Sequence, residues 1–115
     1  MPVHRILIVE DEPLIAMMLE DFIDALGKEC VGCCDTVQSA LATIADENPE
    51  AVILDINLSG GEKSWAVADA LAERGIPFVL SSGGEEVTAA HIDRPRLSKP
   101  YTMDGVEKAL ADLGQ

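Results

Sequence analysis

Aromatic residues make up only 3% of the 115-residue chain, so any core has to be aliphatic, built from Ile, Val, Leu, Ala and Met. Positive charge is also scarce. Eight Lys and Arg stand against twenty-one Asp and Glu, a formal charge of −13 that repels phosphate backbones and anionic lipid surfaces. Direct binding to nucleic acid or to a membrane surface is disfavoured. Long apolar runs are missing as well: segments such as Ala51 to Leu54 fall far short of the roughly 20 residues that span a bilayer, and the N-terminus lacks a signal-peptide layout. The expected setting is cytoplasmic.

Cysteine is confined to the stretch ECVGCC, at positions 30, 33 and 34. An odd, clustered set does not make the disulfide framework of a secreted domain. Cys30 and Cys33 form a C-x-x-C, but the segment reads as a strand, where an odd separation sends two side chains to opposite faces. On that reading neither chelation nor bridging follows, and the expected role is ordinary core cysteine.

What is present is an aliphatic chain, 48% hydrophobic, of a size suited to one domain over residues 1–115, and the expectation is a single domain with no room for an output domain. Strand-length apolar runs alternate with segments of helical period throughout. RILIV leads into a helix from Pro13 to Leu26 with Ile15, Met18, Leu19, Phe22 and Leu26 on one stripe. Pro13 suits a first turn and Gly27 an exit. CVGCC is a second strand. Asp35 or Thr36 caps a helix carrying Val37, Ala40, Leu41 and Ile44, which Asn48-Pro49 closes.

AVILD is a third strand, INLSGGEKS a loop, and Trp65 to Arg74 a helix presenting Ala68, Leu71 and Ala72. FVLS is a fourth strand, followed by a weak helical signal around Glu85 to His91. RLSK is a short fifth strand. The last helix, Met103 to Leu113, is expected to bury Met103, Val106, Leu110 and Leu113. Strands alternating with helices call for an α/β fold, a five-stranded parallel sheet with helices on both faces. The first, third and fourth strands are apolar throughout and read as central. The second and fifth carry polar residues and read as edges.

Ligands of such sheets bind beyond the carboxyl ends of the strands, and this sequence concentrates its polar residues there. The first strand delivers Glu10 and Asp11, the third Asp55, the fourth Ser81 and Ser82, the fifth Lys99. Carboxylates crowded together repel by about 4 kcal/mol per close pair at an effective dielectric near 20, and a divalent cation relieves the conflict. All candidate ligands are oxygens, which favours Mg²⁺, an ion that uses one or two carboxylates and keeps waters for a phosphoryl group. Lys99 would receive the anion.

Four stretches in this order, ILIVEDE, AVILDINL, PFVLSSG and LSKP, resemble the receiver domains of two-component response regulators over essentially the whole chain. The resemblance implies a flavodoxin-like sheet of strand order 2-1-3-4-5. It implies that Asp55 takes a phosphoryl group from a histidine kinase or a histidine phosphotransfer protein. Asp11 would bind Mg²⁺ directly, Glu10 largely through water, and Asn57 through its backbone carbonyl. Ser82 matches the switch hydroxyl and Lys99 the phosphate-pairing lysine, with a cis bond to Pro100. The output would be a contact with an unidentified downstream protein, and the molecule a signalling switch rather than an enzyme.

Three features depart from the family pattern. The loop after Asp55 lacks a proline many relatives carry, the stretch from Ser82 to Lys99 is short, and Arg96 stands where many receivers hold a Tyr or Phe. The shortened stretch is similar to that of a compact subset of receivers. Competing readings are a receiver that docks without being phosphorylated, a phosphatase with an aspartyl-phosphate intermediate, and a flavin module. Asn57 opposes the phosphatase, because haloacid-dehalogenase relatives carry an aspartic acid two residues after the nucleophile. The Glu10-Asp11-Glu12 run opposes a flavin phosphate.

The bland readings apply elsewhere. Glu12 is a helix-start carboxylate, Ser81 a core-facing residue beside Ser82, Trp65 partial packing, and His4 and His91 isolated. The double glycines at 60–61 and 83–84 are turn residues, since neither is followed by a P-loop lysine.

Overall fold

The computed structural model describes residues 4–58, 61–82, 96–98 and 101–113. Among them the chain runs β1 (Arg5–Val9), α1 (Pro13–Ala25), β2 (Glu29–Cys34), α2 (Val37–Glu47), β3 (Ala51–Asp55), α3 (Trp65–Arg74), β4 (Phe78–Ser82), β5 (Arg96–Ser98) and α4 (Met103–Leu113). The strands form one parallel sheet in the order β2-β1-β3-β4-β5, as expected from the resemblance. The helical signal at Glu85 to His91 and the Lys99-Pro100 bond lie outside the described residues.

Side-chain alternation along the strands makes two cores, one per face. Ile6, Ile8, Ile53 and Val79 meet Ala16, Leu19 and Ile23 of α1 and Val106 and Leu110 of α4. On the other face Leu7, Val9, Val52, Leu54 and Leu80 meet Ala40 and Ile44 of α2 and Val67, Ala68 and Leu71 of α3. The side chains of β1 from Ile6 to Val9 and of Ala51, Val52 and Leu54 in β3 are fully buried. Each fully buried aliphatic side chain contributes about 1.5–3 kcal/mol through burial.

The helix termini follow their local chemistry. Pro13 opens α1, where its missing N–H costs nothing. The hydroxyl of Thr36 accepts from the Ser39 N–H while the Ser39 hydroxyl accepts from the Thr36 N–H, a reciprocal cap on α2. Asn48 closes α2 at φ 45°, and Gly75 closes α3 at φ 70°, in the left-handed region that ends helices.

Three local expectations are corrected. The buried line of α1 runs through Ala16, Leu19 and Ile23, so Ile15, Met18, Phe22 and Leu26 flank it half-buried. Met103 is exposed at the start of α4 and Leu113 only half-buried at its end, with Ala109 buried instead.

The third concerns β2. Its register against β1 pairs Ile6 with Cys30 but Leu7 with Gly32 and Ile8 with Cys33, so Val31 is an extra residue. Such a bulge shifts the alternation by one position. Cys30 and Cys33, expected on opposite faces, therefore both accompany Ile6 and Ile8 on the α1 side. Cys34 remains on the other face, buried against α2, where its Sγ meets the Thr43 hydroxyl at 3.3 Å.

Candidate functional site

The sheet register builds the acidic patch. Val9 pairs with Leu54, so the next residues, Glu10 and Asp55, emerge side by side at the carboxyl edge. The Glu10 N–H continues the ladder by donating to the Cys34 carbonyl at 2.8 Å, and Asp55 pairs with Ser81 across β4. Carboxylate oxygens of Glu10, Asp11 and Asp55 all lie within 4.8 Å of one another. Glu10 and Asp55 are each only 3% exposed, and Asp11 is half-buried. Two acids buried beside a third are costly unless a cation or donors compensate them. The donor set is all oxygen, the chemistry of a hard divalent ion.

Asn57 follows in a loop tied down by several bonds. Its N–H donates to Asp55 Oδ1 at 3.4 Å, and its side-chain oxygen accepts from Lys63 Nζ. A short antiparallel bridge joins Asn57 to Lys63, and the Ser64 N–H donates to the Ile56 carbonyl at 2.9 Å, leading the chain into α3. Glu62 of the same loop accepts the Val37 N–H at 3.0 Å, an acid at the amino end of α2 where the helix dipole favours it. Ser82 ends β4 and Ser98, its register partner, ends β5. Lys99 and the Ser82 side chain lie outside what the structure describes. Glu12 is exposed and lacks a side-chain cap bond, as expected of a helix-start carboxylate. Trp65 is half-buried against the α2 and α3 core.

Sequence reasoning passed over Tyr101. It is 6% exposed, and its hydroxyl bonds that of Ser81 and donates to Glu10 Oε1 at 3.5 Å. Burial, followed by the charges of Glu10 and Asp55, raises the Tyr101 hydroxyl well above the usual phenol range, which keeps it a donor. With its one hydrogen directed to Glu10, it accepts from Ser81. Ser81 is thus core-facing, as expected, but its hydroxyl also supports a residue that touches the acidic patch. The available signal was Tyr101 as the sole tyrosine of an aromatic-poor chain, placed just before the last helix.

The thiols are also not inert packing. Cys33 Sγ donates to Glu20 Oε1 at 2.8 Å, and Cys30 Sγ to the Gly32 carbonyl at 3.4 Å. The neighbouring Cys33 side chain brings the Cys30 thiol down to about 7, and Cys30 in turn, with burial and Glu20, raises that of Cys33.

A family model described as the response regulator receiver domain matches residues 6–92. The chain belongs to this family. The receiver is similar to SdrG from Sphingomonas melonis Fr1, whose solution structure shares 60% identity, covers 96% of each chain and superposes with a TM-score of 0.88. The BeF3-activated conformation of SdrG from Pseudomonas melonis Fr1 is 59% identical, covering 99% of this chain and 98% of that one at a TM-score of 0.85. The phyllosphere-induced regulator PhyR of Methylorubrum extorquens is 37% identical over 78 residues, 66% of this chain. The match spans only 29% of PhyR, so it concerns one part of that protein. The receiver is accordingly a signalling switch of the two-component type rather than a metabolic enzyme. No helix among the described residues is long and apolar enough to cross a membrane.

Proposed function

We propose that the receiver accepts a phosphoryl group on Asp55 from a histidine kinase or a histidine phosphotransfer protein and passes the signal on by protein contact. The supporting observation is the convergence of Glu10, Asp11 and Asp55 within 4.8 Å at the carboxyl edge of the sheet. The existence of a BeF3-activated form of SdrG, 59% identical, adds to it.

In this reading an Asp55 oxygen attacks phosphorus in line, an O–P bond forms, and the P–N bond to the donor imidazole breaks. The departing imidazole carries away the electron pair of that bond. Glu10, Asp11, Asp55 and the Asn57 carbonyl would hold Mg²⁺, which supplies positive charge against both the carboxylates and the phosphoryl oxygens. Ser82 and Lys99 would take up the phosphoryl oxygens as donors. Tyr101, by holding Glu10, sets the position of one carboxylate of the cluster. Self-catalysed loss of the phosphoryl group to water would reset the switch, and three free thiols accord with a cytoplasmic setting.

Incubation with acetyl phosphate and Mg²⁺ tests the proposal. A retarded band on a phosphate-affinity gel is expected, absent in Asp55→Asn and in the presence of a chelator. No band in the native chain, or one indifferent to Asp55→Asn, defeats it.

A further inference from the structure

A second group of metal-binding donors lies along α1 and the edge strand. The bulge at Val31 places Cys30 and Cys33 on one face of β2, and Glu20 of α1 packs over them. The two Sγ atoms and a Glu20 carboxylate oxygen all lie within 4.8 Å of one another. Without the bulge, strand alternation would send one of the thiols to the opposite face, so the irregularity itself creates the cluster.

The donor types set this group apart from the acidic patch. Glu10, Asp11 and Asp55 offer only hard oxygens, whereas two sulfurs and one carboxylate suit a thiophilic ion. Tetrahedral Zn²⁺ bonds thiolate sulfur at about 2.3 Å and carboxylate oxygen at about 2.0–2.2 Å, which sets donors about 3.5–4 Å apart. That spacing is within reach of the observed cluster. An open groove of about 460 Å³ adjoins it, lined by the carboxylates of Glu20, Asp21, Asp24 and Glu29 with Lys28 and Cys30. The carboxylates concentrate cations at its mouth. Cys33 and Glu20 are exposed and Cys30 is half-buried, so an ion enters without any element moving.

We infer that Cys30, Cys33 and Glu20 form a three-donor site for Zn²⁺ or a similarly thiophilic divalent cation, with water as the fourth ligand. It is separate from the proposed Mg²⁺ seat and shares none of its residues. Occupancy ties α1 to β2, because the donors come from both elements.

The test uses the full chain, reduced and stripped of metal, titrated with Cd²⁺. Cadmium thiolates absorb in the ultraviolet by charge transfer from sulfur, a band no all-oxygen site produces. The expected result is a band that saturates at one equivalent, persists in excess Mg²⁺ and is bleached when Zn²⁺ displaces Cd²⁺. Cys30→Ser and Cys33→Ser should each weaken binding at least about tenfold, and Glu20→Gln by about tenfold, the scale on which even outer-shell partners of a metal act. Cys34→Ser should keep the band, and far-ultraviolet circular dichroism verifies that each variant is folded. Absence of the band in the native chain overturns the site. So does a band that survives loss of both Cys30 and Cys33, or one that depends on Cys34.

Discussion

Ser81 and Tyr101 join hydroxyl to hydroxyl beside the acidic patch, Ser81 from the end of β4 and Tyr101 from the approach to α4. Tyr101 in turn donates to Glu10. This chain thus links a proposed metal ligand to the last helix. Many receivers carry an aromatic at the position of Arg96, which here is exposed on the edge strand. The buried aromatic hydroxyl stands five residues later.

Tyr101→Phe keeps the ring but leaves the Ser81 hydroxyl without this partner. A loss of about 1–3 kcal/mol is expected in urea unfolding. Removing both hydroxyls, with Ser81→Ala, should cost less than the sum of the single changes by about 0.5 kcal/mol or more. Strict additivity would show that the pair carries no coupling.

Repulsion within the patch predicts a gain from removing one charge. Without divalent ions, Asp55→Asn should be more stable than the native chain by about 1–3 kcal/mol, below the roughly 4 kcal/mol of a bare close pair at an effective dielectric of 20. Mg²⁺ should stabilise the native chain by about 2.7 kcal/mol at a hundred times its dissociation constant. Much less gain is expected for Asp55→Asn. Thermal unfolding with and without chelator measures both.

The amino end of β1 gives a prediction in pH. Glu50 Oε1 accepts the N–H groups of Arg5 at 2.8 Å and His4 at 2.9 Å. Those bonds, Arg5 first, hold the carboxyl below the usual glutamate range. A carboxyl lowered on folding adds stability above its unfolded-state value, and that stability is lost as the pH falls through the folded-state value. The advantage of the native chain over Glu50→Gln should therefore be present at neutral pH and fade in acid. A difference in melting temperature that stays constant across that range contradicts the assignment.

The reciprocal cap of α2 should be worth about 1 kcal/mol. Thr36→Ala, which removes an acceptor for the Ser39 N–H, is expected to lower the denaturant midpoint accordingly without changing the slope.

The sheet was legible because its central strands, β1, β3 and β4, are buried and so carry apolar runs that end in polar or charged residues. That Glu10 and Asp55 emerge side by side followed from the strand order that the resemblance implied, since β1 and β3 are neighbours in the sheet without being consecutive in the chain. The placement of Cys30 and Cys33 was not legible. Parity arguments assume an unbroken ladder, and no residue in CVGCC announces that Val31 is extra. Tyr101 was missed for a related reason: its role depends on Ser81 and Glu10, 20 and 91 residues away, with no local period to betray it. Met103 is apolar and in phase with Val106 and Leu110, yet exposed, and the buried face of α4 runs through Val106, Ala109 and Leu110.

The most direct measurement locates the phosphoryl group itself. After reaction with acetyl phosphate and Mg²⁺, borohydride reduces an aspartyl phosphate to homoserine, which peptide mass spectrometry assigns to a position. Homoserine at position 55 is the expected result. An unmodified Asp55, or reduction at Asp11 or another acid in its place, would contradict the account.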